Sequence, residues 1–268
     1  RGIASADISL SGTTKEPSLN GYIQLQKTSF EVDYLKTSFS TPFCKINVTP
    51  DMISFDNVSI VDGTGMNKAL ANGTIFHEWF KNFNFDIGLD ANDFLAMNTS
   101  EKDNNLYYGK AFISGLVNVG GYSNKLSIDL DVKTEKGTII NIPLSNSDEI
   151  SETDFIEFVT NDTVRYEEED IDLSNILMNF ALETTPDAEV RLVFDDQIGD
   201  VMKATGQGDL NFLINQQGDF NIYGDYKVRD GDYLFTLQNI INKRFDLEEG
   251  GVITWSGDPY DAQLNLTA

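Results

Sequence analysis

Between Gly208 and Ala268 apolar residues fall on every second position in runs closed by turn residues, a period of two that belongs to strands. Leu210, Phe212 and Ile214 share one parity, as do Phe220, Ile222, Tyr226 and Val228. Gln216-Gln217-Gly218 between them reads as a three-residue hairpin loop, with Gly where positive φ is needed; it pairs Ile214 with Phe220 and Phe212 with Ile222. Asp230-Gly231 predicts a two-residue type I′ hairpin that sets Val228 opposite Tyr233 and Tyr226 opposite Phe235. Asp258-Pro259-Tyr260-Asp261 suits a type I turn, with Trp255 opposite Leu264 and Ile253 opposite Leu266. Each turn brings apolar residues together on one face, so turn chemistry and hydrophobic pattern specify a register jointly.

The same alternation runs upstream. Ile8 and Leu10, then Leu19, Ile23 and Leu25, then Phe30, Val32 and Tyr34 form short bursts broken by Ser-Gly, Pro17 and Asn20-Gly21. Longer strands follow around Phe85, Ile87 and Leu89, around Val117 and Val119, and around Leu126, Ile128 and Leu130. Glycines inside them, among them Gly73, Gly115, Gly206 and Gly224, mark bends or bulges in a curving sheet. Residues 146–170 differ: the run Glu167-Glu168-Glu169-Asp170 reads as a flexible acidic insert, and Ile150, Phe155, Ile156 and Val159 predict a short helix near 147–160. Ile176, Met178, Phe180 and Leu182 fit a strand, although Ile171, Asn175, Met178 and Leu182 would also suit a helix. The expectation is an all-β fold, one long antiparallel sheet in a single elongated domain over residues 1–268, starting and ending in mid-pattern like a fragment of a longer chain.

A formal net charge of −24 leaves no Lys/Arg cluster for phosphates, which argues against nucleic acid and against docking through anionic head groups. Cys44 alone cannot form an internal disulfide and reads as a small buried apolar residue. No apolar run approaches the roughly 20 residues that span a bilayer as a helix. His77 is the single histidine, beside aromatics with no nucleophile motif, so a structural role is expected. Zinc spacing and phosphate loops are missing, and turn chemistry explains Asp195-Asp196 and Asp230-Gly231-Asp232 better than calcium does. No carboxylate pair stands out for glycoside cleavage, and Trp79, Tyr107, Tyr108 and Trp255 read as sheet aromatics rather than a sugar platform. No catalytic residue, metal or cofactor is expected. What remains is an apolar face that either closes on itself or stays open for an apolar guest.

The run from Gly224 to Ala268, "GDYKVRDGDYLFTLQNIINKRFDLEEGGVITWSGDPYDAQLNLTA", resembles the C-terminal region of the TamB family, through its G-x-Y-x-V…G-x-Y-x-F and F-x-L-x-x-G-G-x-I-x-W-x-G-D-P elements. Weaker likeness extends upstream through "GTIFHEWFKNFNFDIGLDANDFLAMNT" and "YYGKAFISGLVNVGG" to about Leu70. The resemblance implies a sheet curled into a U-shaped trough, a β-taco with a hydrophobic interior, as in AsmA-like proteins. It implies a periplasmic part of an inner-membrane-anchored protein reaching the outer membrane, where it meets a TamA/BamA-like barrel. The expected guest is phospholipid, as a monomeric carrier between the membranes. The groove candidates are Leu210, Phe212, Ile214, Phe220, Ile222, Tyr226, Val228, Tyr233, Phe235, Ile253, Trp255, Leu264 and Leu266. The alternative the resemblance brings is assembly of outer-membrane β-barrel proteins and autotransporters by strand pairing, and a carbohydrate-active protein stands behind both.

Overall fold

A computed structural model describes residues 2–104, 106–144, 175–195, 199–237 and 241–268. The strands are β1 (Ile3–Gly12), β2 (Pro17–Val32), β3 (Thr37–Val48), β4 (Met52–Val61), β5 (Lys68–Glu78), β6 (Lys81–Thr99), β7 (Tyr108–Tyr122) and β8 (Lys125–Thr134). They continue as β9 (Ile139–Pro143), β10 (Ile176–Thr184), β11 (Glu189–Asp195), β12 (Asp200–Ile214), β13 (Phe220–Leu237), β14 (Ile241–Leu247), β15 (Val252–Gly257) and β16 (Gln263–Asn265). Between them, among the described residues, only single 3₁₀ turns occur, at Asp33–Leu35 and Pro259–Asp261. All sixteen strands join one sheet.

Three pairs of strands lie end to end and share one position in that sheet. β8 and β9 both lie along β7, β10 and β11 along β12, and β14 and β15 along β13. Neighbours are antiparallel except at one seam, where two pairings are parallel: β10 with β8, and β11 with β9. A parallel neighbour requires the chain to travel back the length of the strand before pairing. That return falls between residues 144 and 175; the acidic insert expected at 146–170 and the helix expected at 147–160 lie outside the described residues.

The three-residue loop is as expected. Gly218 has φ +87°, Asn215 Oδ1 accepts from the amides of Gln217 and Asp219, and Ile214 and Phe212 pair with Phe220 and Ile222. Asp230-Gly231, by contrast, is no hairpin. β13 runs straight through it, because residues 231–237 find a second ladder on β14 while residues 230–234 stay paired to β12; turning there would forfeit both. The residue pair instead follows a bulge at Arg229, opposite Thr205 and Gly206, and Gly231 is needed because a Cβ would stand 2.3 Å from the Lys203 carbonyl. The last hairpin is offset by two from expectation: Ile253 pairs with Leu264, since the 3₁₀ turn capped by Asp258 consumes Pro259–Asp261.

The sheet is coiled tightly. Following the ladder from Phe220 through Ile214, Met178 and Ile128 reaches Val119 on β7, twelve residues beyond Tyr107. In a flat sheet that offset is about 40 Å along the strands and about 19 Å across them. The rings of Tyr107 and Phe220 are 5.7 Å apart. Phe39 of β3 likewise stacks on Phe94 of β6 at 5.3 Å, where three flat strand spacings give about 14 Å. Outward positions carry the charge: Asp86, Asp90, Asp129, Asp131, Asp209 and Asp225 are all exposed.

Candidate functional site: an apolar trough open at one end

Register turns the inward alternation into rows that run across the strands, along the axis of the trough. The longest is Ala6, Ile23, Ile46, Phe55, Gly73, Ile87, Val119, Ile128, Met178, Ile214 and Phe220, each paired with the next. Beside it lies Val58, Ala71, Leu89, Val117, Leu130, Phe180, Phe212 and Ile222. A third row reads Ile60, Ala69, Ala91, Gly115, Val132, Leu182, Leu210, Gly224 and Trp255. Rows two residues apart on a strand are about 6.6 Å apart. Small residues occupy the middle of the third row, where Phe39, Phe94 and Ile113 pack with Ala69 and Ala91. Gly73 serves the first row in the same way, because the Phe55 ring lies 2.5 Å from where its Cβ would be.

Exposure falls along the first row. On β1 to β8 the inward residues Ile23, Ile46, Phe55, Ile87, Val119 and Ile128 are partly exposed, and Leu10 at the β1 end is 73% exposed. On β12, β13 and β15 the inward residues vanish from solvent, with Ile214, Ile222 and Tyr226 at 0%. Eight of the thirteen residues expected to line the groove are buried in this closed end, Leu210, Phe212, Ile214, Ile222, Tyr226, Val228, Ile253 and Trp255, and the partly buried Phe220 packs against them. Tyr233 and Leu266 also pack on that core, the Phe235 ring lies tilted against Tyr233 at its edge, and Leu264 is 43% exposed on the outermost pairing. The solvent-accessible part of the first row therefore lies upstream of those candidates.

The closed end is built with care for its polar atoms. Tyr226 Oη donates to the Ala204 carbonyl at 3.1 Å, and burial pushes its phenol well above the ordinary value. Its ring passes over Gly206, where a Cβ would be 3.0 Å away. Burial together with the neighbouring Asp200 carboxylate raises the Tyr233 phenol to about 12. Trp255 Nε1, in contrast, is buried with no partner.

Between the open and closed parts stands a bridge that sequence reasoning missed. Tyr34, in the turn after β2, and Tyr107, at the end of the β6–β7 loop, share a hydrogen bond at 3.1 Å, and Asn104 Nδ2 donates to Tyr34 Oη at 3.3 Å. The Tyr107 ring then meets Phe180 at 6.4 Å and Phe220 at 5.7 Å, so the contact reaches from one wall to the other. Burial raises the Tyr107 phenol far above its usual range. The alternation carries Tyr34 as the end of a strand and Tyr107 reads as a sheet aromatic, but both lie outside the strands, so nothing in the period of two brings them together.

The polar residues weighed for chemistry take structural places. His77 is buried against Phe80, with ring centroids 4.3 Å apart, and Cys44 packs beside Val58 and Ala71, its thiol raised by burial. Among the described residues no group of three or more His, Cys, Asp or Glu side chains is placed to hold a metal, and no helix is long and apolar enough to cross a membrane. No curated protein and no solved structure matches the chain. A family model does, over the strands that build both the bend and the closed end. Residues 59–268 match the TamB C-terminal domain, and the chain belongs to the TamB family.

Proposed function

We propose that this chain carries apolar guests, phospholipid acyl chains foremost, along the inward rows, passively and without catalysis. The observation that carries the reading is the first row, unbroken in its apolar character from Ala6 to Phe220, partly open to solvent on β2 to β8 and closed from β10 onward. An acyl chain laid along such a row meets an apolar side chain at every strand but β5, where Gly73 stands, and no polar side chain. Each buried methylene contributes about 0.8 kcal/mol without directional bonds, so the guest is held as a whole yet slides. Head groups stay in water at the open side. Membership in the TamB family points to outer-membrane assembly or to lipid or protein transport, and to the cell envelope. We place the chain in the periplasmic part of an inner-membrane-anchored protein that hands its guest to a TamA/BamA-like barrel.

Mass spectrometry of organic extracts from the purified chain tests this. Phospholipid at a stoichiometry near one or above is the expected result; an extract free of lipid and of any other apolar molecule overturns it.

A second reading has its own observation. β1 is exposed at all ten residues and, among the described residues, pairs on one side only, with β2. Such an edge can add a strand from a client barrel protein. Photo-crosslinkers on β1 that capture client strands, with Ile46 and Ile87 silent, would favour assembly over carriage.

A further inference from the structure

The turn between β5 and β6 departs from ordinary turn chemistry. Trp79 and Phe80 connect the paired residues Glu78 and Lys81, and both have positive φ, +50° and +61°. Turns of that shape favour Asn and Gly, because a bulky side chain there crowds the following carbonyl. Here the turn is held by His77, 5% exposed, whose ring stacks on Phe80 and whose Nδ1 accepts the Phe80 amide at 3.4 Å. Phe80 is thereby drawn in, and Trp79 is left 50% exposed at the tip. Phe76 and Tyr122 both pair with Asn84, so they share one face beside the tip, 46% and 56% exposed. Lys81 and Lys125, both exposed, flank these rings in a chain with 19 basic against 43 acidic residues. The Glu78 carboxylate accepts a hydrogen bond from Asn82 Nδ2 at 3.0 Å. On the inner side of the same margin begin the partly exposed trough residues Phe85 and Leu126.

We infer that this margin of β5 to β8 seats in the head-group layer of a zwitterionic phospholipid bilayer. Trp and Tyr rings prefer that depth, where one end of the side chain is apolar and the other wet. Lys81 and Lys125 extend to the lipid phosphates, with their stems along the rings. The net charge of −24 sets the lipid class, since it repels a strongly anionic surface while the local lysines match single phosphates. The inference rests on the carrying reading for its purpose: seated this way, the open rows meet acyl chains at the bilayer edge.

Vesicles of brominated phosphatidylcholine test it with the purified chain, because bromine quenches a tryptophan that enters the lipid. The chain has two tryptophans, and Trp255, 2% exposed, gives the unquenched reference. The wild type is expected to sediment with vesicles and lose the Trp79 part of its emission. Trp79→Asn puts a residue the turn tolerates at the tip, and is expected to weaken partitioning about tenfold. Its melting temperature and its co-purified lipid should stay unchanged. Tyr122→Ser should weaken partitioning in the same direction. A wild type that stays in the supernatant, or a Trp79→Asn protein that sediments as well as wild type, overturns the inference. Lipid still present in the extract would then leave the carrying reading intact, whereas a lipid-free extract sinks that reading instead.

Discussion

Asp62 shows how one side chain ties the upper margin together. It is 3% exposed, its Oδ1 accepts from the Thr64 amide and hydroxyl, and its Oδ2 accepts from the Leu95 amide at 3.0 Å. The Leu95 contact matters most, because it joins the tip of the β4–β5 hairpin to β6 where that strand runs on beyond it. Burial raises the carboxyl, but hydrogen bonds from Thr64, Leu95 and Asn67 outweigh that and hold it below the ordinary carboxylate value. Asp62→Ala leaves a buried amide unpaired, so a loss of about 1–3 kcal/mol is expected from urea denaturation. Because the folded value is depressed, the charged form's contribution is present above the unfolded value of about 3.9 and disappears as pH falls through the folded one. The melting-temperature gap between wild type and Asp62→Asn should be widest at neutral pH and close below about pH 4. A gap independent of pH would show that the charge contributes nothing.

Bulges are the elements that hid the register of the first half. At Asn57 and Asp93 the backbone takes positive φ and the pairing skips, between Phe55 and Val58 and between Ala91 and Phe94, while at Lys27, likewise at positive φ, the ladder passes from Gln26–Phe43 to Thr28–Thr41 with no change of register. Each skip reverses the parity of the apolar residues, so the inward face stays apolar while the alternation in the sequence breaks. Read as alternation, those breaks look like ends of strands, which is why the first sixty residues showed only short bursts. The second half was legible where a loop declares its own geometry, as at Asn215–Asp219, and illegible at Asp230-Gly231, where tertiary pairing overrides a turn preference. The Asp93 bulge is fixed by its amide donating to Ser114 Oγ at 2.9 Å. Asp93→Val places a β-branched residue at φ +49°, and a cost of about 1–2 kcal/mol is expected, with Asp93→Gly neutral or better. Equal urea midpoints for the two variants would mean the bulge is not the strained feature it is taken to be.

At the scale of the molecule, an all-β fold and an inward apolar face were readable from period alone, but the place where that face opens was not. Exposure depends on how far the sheet coils, and the coil is set by small residues at Ala69, Ala91 and Gly115 and by the close approach at Gly206, whose effect appears only once strands are paired. The parallel crossover was equally hidden, since a period of two carries no direction. The residues with the clearest pattern became the closed end because β12, β13 and β15 keep their alternation on either side of the Arg229 bulge, so their inward side chains pack together. The division yields a paired prediction. Ile46→Asp, on the open rows, puts a charge where solvent already reaches, so the protein should stay folded, with a melting temperature within a few degrees of wild type, and lose its co-purified lipid. Ile222→Asp, at 0% exposure, buries an unpaired charge and should cost several kcal/mol, seen as a collapse of the melting transition. If Ile46→Asp keeps its lipid while folded, guests do not lie on these rows. If Ile222→Asp folds as well as wild type and loses lipid, the end drawn here as closed is open in solution, and the path runs through it.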